Sequence, residues 1–335
     1  MQDERLLGES NVFGEVLEQV SRLAVIPRPV LVIGERGTGK ELIAHRLHYL
    51  SARWQQPFIS LNCASLNESL LESELFGHEA GSFTGAQKRH PGRFERADGG
   101  TLFLDELATM SERLQEKLLR VLEYGEFERV GGQQPIRVDV RLVCATNANL
   151  PRLAAAGQFR ADLLDRIAFD VITLPPLRAR QEDILLLARH FAEQLCSELG
   201  IGDFSGFTPQ VEQQLLAHPW PGNVRELRNV VERSLYRQGE PSHPLRQLVL
   251  DPFASPWSDS ALAAPQVPGV LAPSFPLDWK AYMAECEIHM ITKALQLSRY
   301  NQRMAAQSLG ISYDQLRGLL KKYRLSTKSG AGMDR

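Results

Sequence analysis

The stretch GERGTGKE, Gly34 to Glu41, has residue types and spacing suited to holding phosphate. Gly34, Gly37 and Gly39 let the backbone close so that N–H groups and a helix N-terminus face negative charge, and Lys40 carries a point charge to the β- and γ-phosphates. Against the pattern G-x-x-x-x-G-K-[ST], only the last position fails: Glu41 stands where a hydroxyl would help hold Mg2+. Glu35, Arg36 and Thr38 complete the candidate loop. A tight glycine turn is the competing reading of these residues alone.

The second chemical element is GGTLFLDE, Gly99 to Glu106. An apolar strand ending in two carboxylates suits a Walker B element, in which Asp105 holds Mg2+ through water and Glu106 polarises the attacking water. An Asp–Glu pair capping a strand is the plainer alternative, but the two elements stand in the right order. Glu41 need not block the metal, which can take phosphate oxygens, waters and Asp105.

Near the C-terminus, Arg299, Arg303, Arg317, Lys321, Lys322 and Arg324 stand against Asp314 alone. In a chain of net charge −2, such a local patch favours phosphate. It coincides with A-x-x-L-G-I, where small Ala306 lets two helices cross, Gly310 makes the turn, and Leu309, Ile311, Leu316 and Leu319 anchor from behind. That is a helix-turn-helix arrangement, with a plain helical hairpin as the alternative. Ser312, Tyr313, Gln315, Arg317 and Gly318 lie where side chains can meet base edges, and Arg303, Lys321 and Lys322 belong to the same candidate DNA interface.

Elements that could position these groups are legible around them. Runs at 29–34, 57–62, 101–106, 140–147 and 169–174 are short, apolar and bounded by Gly, Pro or Asn, which predicts buried strands. Helical spacing between them predicts a largely parallel α/β sheet covered on both faces. After LPPLRARQED the pattern is all-helical to about residue 240, and 251–276 has the Pro, Ala and Ser content of a linker. As a flexible coil it would span about 25–30 Å. The expected organisation is an α/β part over 1–176, a helical lid over 177–250, a tether over 251–277 and a DNA-binding domain over 278–327.

With 335 residues, 43% hydrophobic and 23% charged, the composition is that of a globular chain, and the net charge excludes a uniformly basic nucleic-acid coat. No apolar leader or membrane span is evident, which implies a cytoplasmic protein. Cys63, Cys144, Cys196 and Cys286 form no C-x-x-C pair and are expected as reduced, packed thiols. His45 and His48 sit three apart in a predicted helix and lack a third metal ligand, so they are expected on the surface.

GERGTGKE, ESELFGHEAGSFTGA, GTLFLDE and PWPGNVRELRNVVER together resemble the AAA+ ATPases that activate sigma-54 RNA polymerase, over essentially the whole of Leu6 to Leu325. Within that family, a glutamate normally follows the phosphate-loop lysine. The resemblance implies an αβα sandwich with an α-helical lid, a hexameric ring with ATP and Mg2+ between subunits, and a Fis-like domain that binds upstream double-stranded DNA. It implies that Asn62 is a polar switch holding Glu106, that Thr146 and Asn147 sense the γ-phosphate, that Arg160 and Arg166 reach a neighbour's ATP, and that Arg225 is the lid's sensor. Taken by spacing alone, Arg160 and Arg166 would be paired with Asp162 or Asp165.

GSFTGA, Gly81, Ser82, Phe83, Thr84, Gly85 and Ala86, has no helical or strand period. By itself it suggests a turn whose Phe packs back on the core; by resemblance it is a projecting loop in which Phe83 and Thr84 touch sigma-54. Ser82 departs from the alanine usual there. The chain starts almost at the ATPase part, so control is expected in trans. The resemblance is strongest to members acting at phage-shock operons and implies inhibition by phage shock protein A, with Trp54 in SARWQQPF as the candidate contact; core or ATP-side packing of Trp54 is the alternative. A DNA-binding regulator using nucleotide only for assembly is the competing function.

Overall fold

The computed structural model describes residues 6–83, 86–239, 243–253, 279–298 and 301–323. They fall into two units, one within Met1–Phe253 and one within Ala254–Arg335. The tether expected over 251–277 lies almost wholly outside the described residues.

The first unit is built on strands β1 (Val30–Ile33), β2 (Phe58–Asn62), β3 (Thr101–Asp105), β6 (Arg141–Thr146) and β7 (Val171–Thr173), all parallel, in the order β2-β3-β6-β1-β7. Each falls within a run marked as a strand by its sequence. Their side chains alternate between two cores, as a period of two requires. Val30, Val32, Phe103, Val143 and Ala145 face helices α1 (Asn11–Ala24) and α2 (Lys40–Tyr49). Leu31, Leu102, Leu104, Leu142 and Cys144 face the opposite layer, with α3 (Glu68–Phe76), α4 (Arg93–Arg96), α5 (Glu112–Tyr124), α6 (Leu150–Ala155) and α7 (Ala161–Ile167). A short antiparallel hairpin, β4 (Glu126–Glu128) with β5 (Pro135–Arg137), follows α5. It is absent from the sequence reading because each strand is only three residues long, with Phe127 its one buried residue.

Helices α8 (Gln181–Leu199), α9 (Pro209–Ala217) and α10 (Asn223–Gln238) pack a core around Trp220, whose indole N–H donates to Leu215 O at 2.8 Å. In the second unit, α11 (Trp279–Leu297), α12 (Gln302–Ser308) and α13 (Tyr313–Tyr323) enclose Ile291, Ala294, Leu295, Ala305, Ala306, Leu316 and Leu320. Gly310, between α12 and α13, has φ +66°, a left-handed turn that favours glycine. Among the described residues, no helix is long and apolar enough to cross a membrane.

The surface assignment of the histidines needs correction. His48 is buried one helical turn after Ala44; its Nδ1 lies 2.9 Å from Thr101 Oγ1, and burial pushes its pKa down. His45 is half-buried and packs on Phe58, with ring centroids 4.1 Å apart. Cys63, Cys144 and Cys196 are buried free thiols; the side chain of Cys286 lies outside the described residues.

Two buried polar joints fix the framework. Arg141, at the start of β6, donates to the carbonyls of Leu23, Ala24 and Leu47, where α1 and α2 end. Asp183, fully buried, accepts bonds from the Glu9 and Ser10 amides, the Ser10 hydroxyl and Arg180 Nε. Arg180 in turn lies over the Phe13 ring at 3.6 Å and donates to Leu7 O. Burial raises the Asp183 pKa, but the bonds from Ser10, Arg180 and the amides outweigh it and hold the carboxyl below its ordinary range. Replacing one partner of such a pair strands the other charge, so Asp183→Ala is expected to cost about 3–5 kcal/mol in urea unfolding. A loss below about 1 kcal/mol would remove this joint from the account.

Candidate nucleotide site and nucleic-acid interface

β1 runs straight into the glycine loop, and α2 begins at Lys40. Gly37 and Gly39 have φ +77° and +95°, conformations that L side chains rarely adopt. Lys40 Nζ donates to Gly34 O at 3.1 Å and Glu35 O at 3.4 Å. Burial lowers the ammonium's pKa, against the nearby charges of Asp105 and Glu106, which raise it. Glu41 is exposed on the helix, although it still borders the cleft. The cleft is lined by Leu6, Leu7 and Phe13 from the N-terminal segment, by Gly37 to Leu42 and Asp105, and by Arg180, His190, Phe191 and Arg225 from the lid. The N-terminal and lid groups beside Arg225 were not singled out from sequence, since they are remote from every motif.

Asp105 and Glu106 end β3 at the same edge of the sheet. Glu106 is left-handed at φ 52°, a costly conformation for a glutamate and one that concentrates at functional sites. Its carboxylate faces Arg36 at 3.9 Å. Asn62, at the end of neighbouring β2, donates to Asp105 Oδ2 at 3.4 Å and accepts from Ala64 N. The expected Asn62–Glu106 contact is therefore replaced by Asn62–Asp105, because the register pairs Asn62 with Asp105. The Asp105 carboxylate takes one amide, from Glu106, and this long bond, which leaves lone pairs for a metal-bound water. Thr146, at the end of β6, is buried and caps the Ala148 amide, while its carbonyl accepts from Gly34 N; Asn147 is exposed.

Arg160 and Arg166 are not among the residues lining this cleft. Arg160 forks onto Asp162, at 3.1 and 2.7 Å, as spacing suggested. Arg166 instead reaches Glu123 at 2.9 Å, across from α7 to α5.

The GSFTGA segment is tied at its base. Gly81 N donates to Ala86 O, and Ser82 lies against the turn after β4, where a Cβ on Gly131 would meet Ser82 Cβ at 2.6 Å. Arg129, just before that turn, holds both Glu79 and Glu95. Phe83 is 43% exposed and meets the His78 ring edge-on at 4.9 Å, so it does not pack into the core. Thr84 and Gly85 lie outside the described residues. Trp54 is 54% exposed and borders neither core nor cleft; its ring meets Tyr49 edge-on.

In the second unit, Ser312 and Gln315 cap each other: Ser312 N donates to Gln315 Oε1 at 2.8 Å and Gln315 N to Ser312 Oγ at 3.2 Å. This capping box gives both side chains a helix-starting role. Tyr313, Arg317, Lys321 and Lys322 are exposed along α13, with Arg303 over the Tyr313 ring and Lys322 near Glu287. Arg299 and Arg324 lie outside the described residues.

The two left-handed glycines of the phosphate loop differ in what surrounds them. A Cβ at Gly37 would sit 2.3 Å from Gly222 O of the lid, whereas at Gly39 it would meet only Leu42 Cδ1 at 3.8 Å. Both alanine substitutions carry about 1–2 kcal/mol of backbone strain. Gly37→Ala should therefore melt markedly lower than Gly39→Ala; equal melting temperatures would contradict the close seam between loop and lid.

Comparison with known proteins matches this geometry in order along the chain. Residues 6–173 match the model of the sigma-54 interaction domain, 178–249 that of the AAA+ ATPase lid domain, and 282–323 that of the Fis family of bacterial regulatory proteins. The chain is 61% identical over 322 residues to the Psp operon transcriptional activator of Escherichia coli (strain K12), covering 96% of this chain and 98% of that one. It is 55% identical over 224 residues to the Nif-specific regulatory protein of Azospirillum lipoferum, covering 66% of this chain but 35% of the relative. The crystal structure of NtrX from Brucella abortus in complex with ATP aligns with TM-score 0.69 at 31% identity, over 97% of this chain and 70% of that one. The chain belongs to the sigma-54 interaction domain family of AAA+ transcriptional activators.

Proposed function

We propose that the protein hydrolyses ATP to remodel closed sigma-54 RNA polymerase promoter complexes, bound through its C-terminal helices to upstream double-stranded DNA, and that it acts at a phage-shock operon. The carrying observation is one cleft edged by the glycine loop, Lys40, Asp105 and Arg225, with an exposed Phe83 on a tied loop elsewhere in the same unit. The similarity to the Psp operon activator over nearly its full length supports the operon.

In this reading the loop amides and Lys40 hold the β- and γ-phosphates, and Arg225 approaches them from the lid. Asp105, steadied by Asn62, would hold Mg2+ through water. When bound, Mg2+ supplies charge neutralisation on the phosphate oxygens. Glu106 takes the proton of the attacking water. Thr146 and Asn147, at the end of the strand beside β1, respond to the γ-phosphate in this reading. Arg160 and Arg166 act on the ATP of the next subunit in a hexameric ring, which their position away from their own cleft supports. A guanidinium suits that task because it is always charged and forks onto phosphate oxygens. Hydrolysis then shifts the loop 81–86, through which Phe83 and Thr84 grip sigma-54. Tyr313, Arg317, Lys321, Lys322 and Arg303 carry the DNA contact, and Trp54 the inhibitory contact with phage shock protein A. The domain organisation we assign is 1–176, 177–250, tether 251–277 and 278–327.

ATP turnover per subunit should climb with protein concentration and fall about 1,000-fold or more in Arg166→Ala. Nucleotide binding without turnover at any concentration would favour a DNA-binding regulator that uses ATP only for assembly. Trp54→Ala should keep ATPase activity while losing repression by phage shock protein A; undiminished repression would assign that contact elsewhere.

A further inference from the structure

The carbonyls of the phosphate loop are divided between two partners. Those of Gly34 and Glu35 turn inward to Lys40 Nζ. Those of Arg36 and Gly37 turn outward to the lid: Arg36 O accepts from Asn223 Nδ2 at 3.0 Å, and Gly37 O from Val224 N at 3.0 Å. Across a planar trans peptide the N–H points opposite to the C=O. Holding these two carbonyls against the lid therefore aims the amides of Gly37 and Thr38 away from it, to the side where the loop closes on phosphate.

Asn223 is built for this task. It is fully buried at the first position of α10, with φ 53°, a conformation that asparagine tolerates better than most residues. Its Oδ1 accepts from Leu177 N at 2.8 Å, where the lid leaves the sheet. Its Nδ2 also donates to Glu35 Oε2 at 3.1 Å. Glu35 in turn receives both Arg178 terminal nitrogens, at 2.9 and 2.6 Å, and those bonds, followed by that of Asn223, hold its carboxyl down at about 2. One side chain thus joins the phosphate loop, the turn that begins at Leu177 and the helix carrying Arg225.

We propose that Asn223 is a positioning residue for nucleotide binding: by donating to Arg36 O and Glu35 it orients the loop amides for phosphate and couples the loop to the lid. This rests on the nucleotide-binding reading of the cleft. It predicts that loss of the donor weakens phosphate binding without touching phosphate.

The test is ADP affinity, with Mg2+, measured on the full chain by calorimetry. Asn223→Gly tolerates the left-handed backbone and removes the donor; its dissociation constant for ADP should rise about tenfold, and its KM for ATP likewise, with kcat at saturation within about threefold of the parent. Because glycine also removes the bond to Leu177, the double exchange Asn223→Asp with Glu35→Gln is decisive. It keeps the acceptor for Leu177 and restores the bond across the pair with donor and acceptor swapped, yet leaves Arg36 O without its donor; because Glu35→Gln also disturbs the two Arg178 bonds, Glu35→Gln alone is measured beside it. A dissociation constant that rises about tenfold beyond that of Glu35→Gln alone supports the inference; a double exchange within about twofold of Glu35→Gln alone overturns it, whatever Asn223→Gly does. If the parent chain itself fails to bind ADP, the nucleotide reading of the cleft fails instead.

Discussion

Phosphate loop and lid meet backbone to backbone, and much of the first unit depends on how little room that seam leaves. At Gly37 a single methyl group would collide with the Gly222 carbonyl. The seam fixes where α10 begins, and with it Arg225, two residues beyond Asn223. The turn at Leu177 and Arg178 joins the same seam, Leu177 N donating to Asn223 and Arg178 to Glu35 of the loop. From the other side, the N-terminal segment is tied to Asp183 and Arg180 at the start of α8. The cleft is thus walled by three stretches distant in sequence, each held by buried polar bonds that admit few substitutes.

The sheet was legible because its central strands β1, β3 and β6 are buried almost throughout and so read as unbroken apolar runs between breakers. Strand order and register were not, since they depend on which runs become neighbours, and register is what placed Asn62 on Asp105. The β4–β5 hairpin escaped notice because Glu126, Glu128 and Arg137 give it the look of a charged loop. His48 misled because a histidine three residues from another invites a surface reading, whereas its partner Thr101 is 53 residues away. The loop residues themselves were clear from glycine spacing. Asn223 was not, because its partners Glu35 and Arg36 lie 188 and 187 residues distant and an asparagine at a helix start passes for a cap.

The same limit applies to the second unit. Its helices and core followed from small residues and leucine spacing, but the pairing of Ser312 with Gln315 changes what each can offer a base. With those two engaged in starting α13, Tyr313 and Arg317 remain exposed beside them, and Lys321 and Lys322 are exposed further along the same helix.

Arg141 carries a different consequence. Its partners are the ends of two helices, Leu23 and Ala24 of α1 and Leu47 of α2, and its hydrogen bonds among the described residues include no carboxylate. A guanidinium keeps its proton under all ordinary conditions, and carbonyl oxygens do not titrate. Buried from counterions, this union of α1, α2 and β6 is indifferent to acidity and ionic strength over the range in which surface ion pairs weaken. The face of the sheet opposite α5 is thereby pinned by a contact that the ionic conditions favouring or releasing DNA leave untouched.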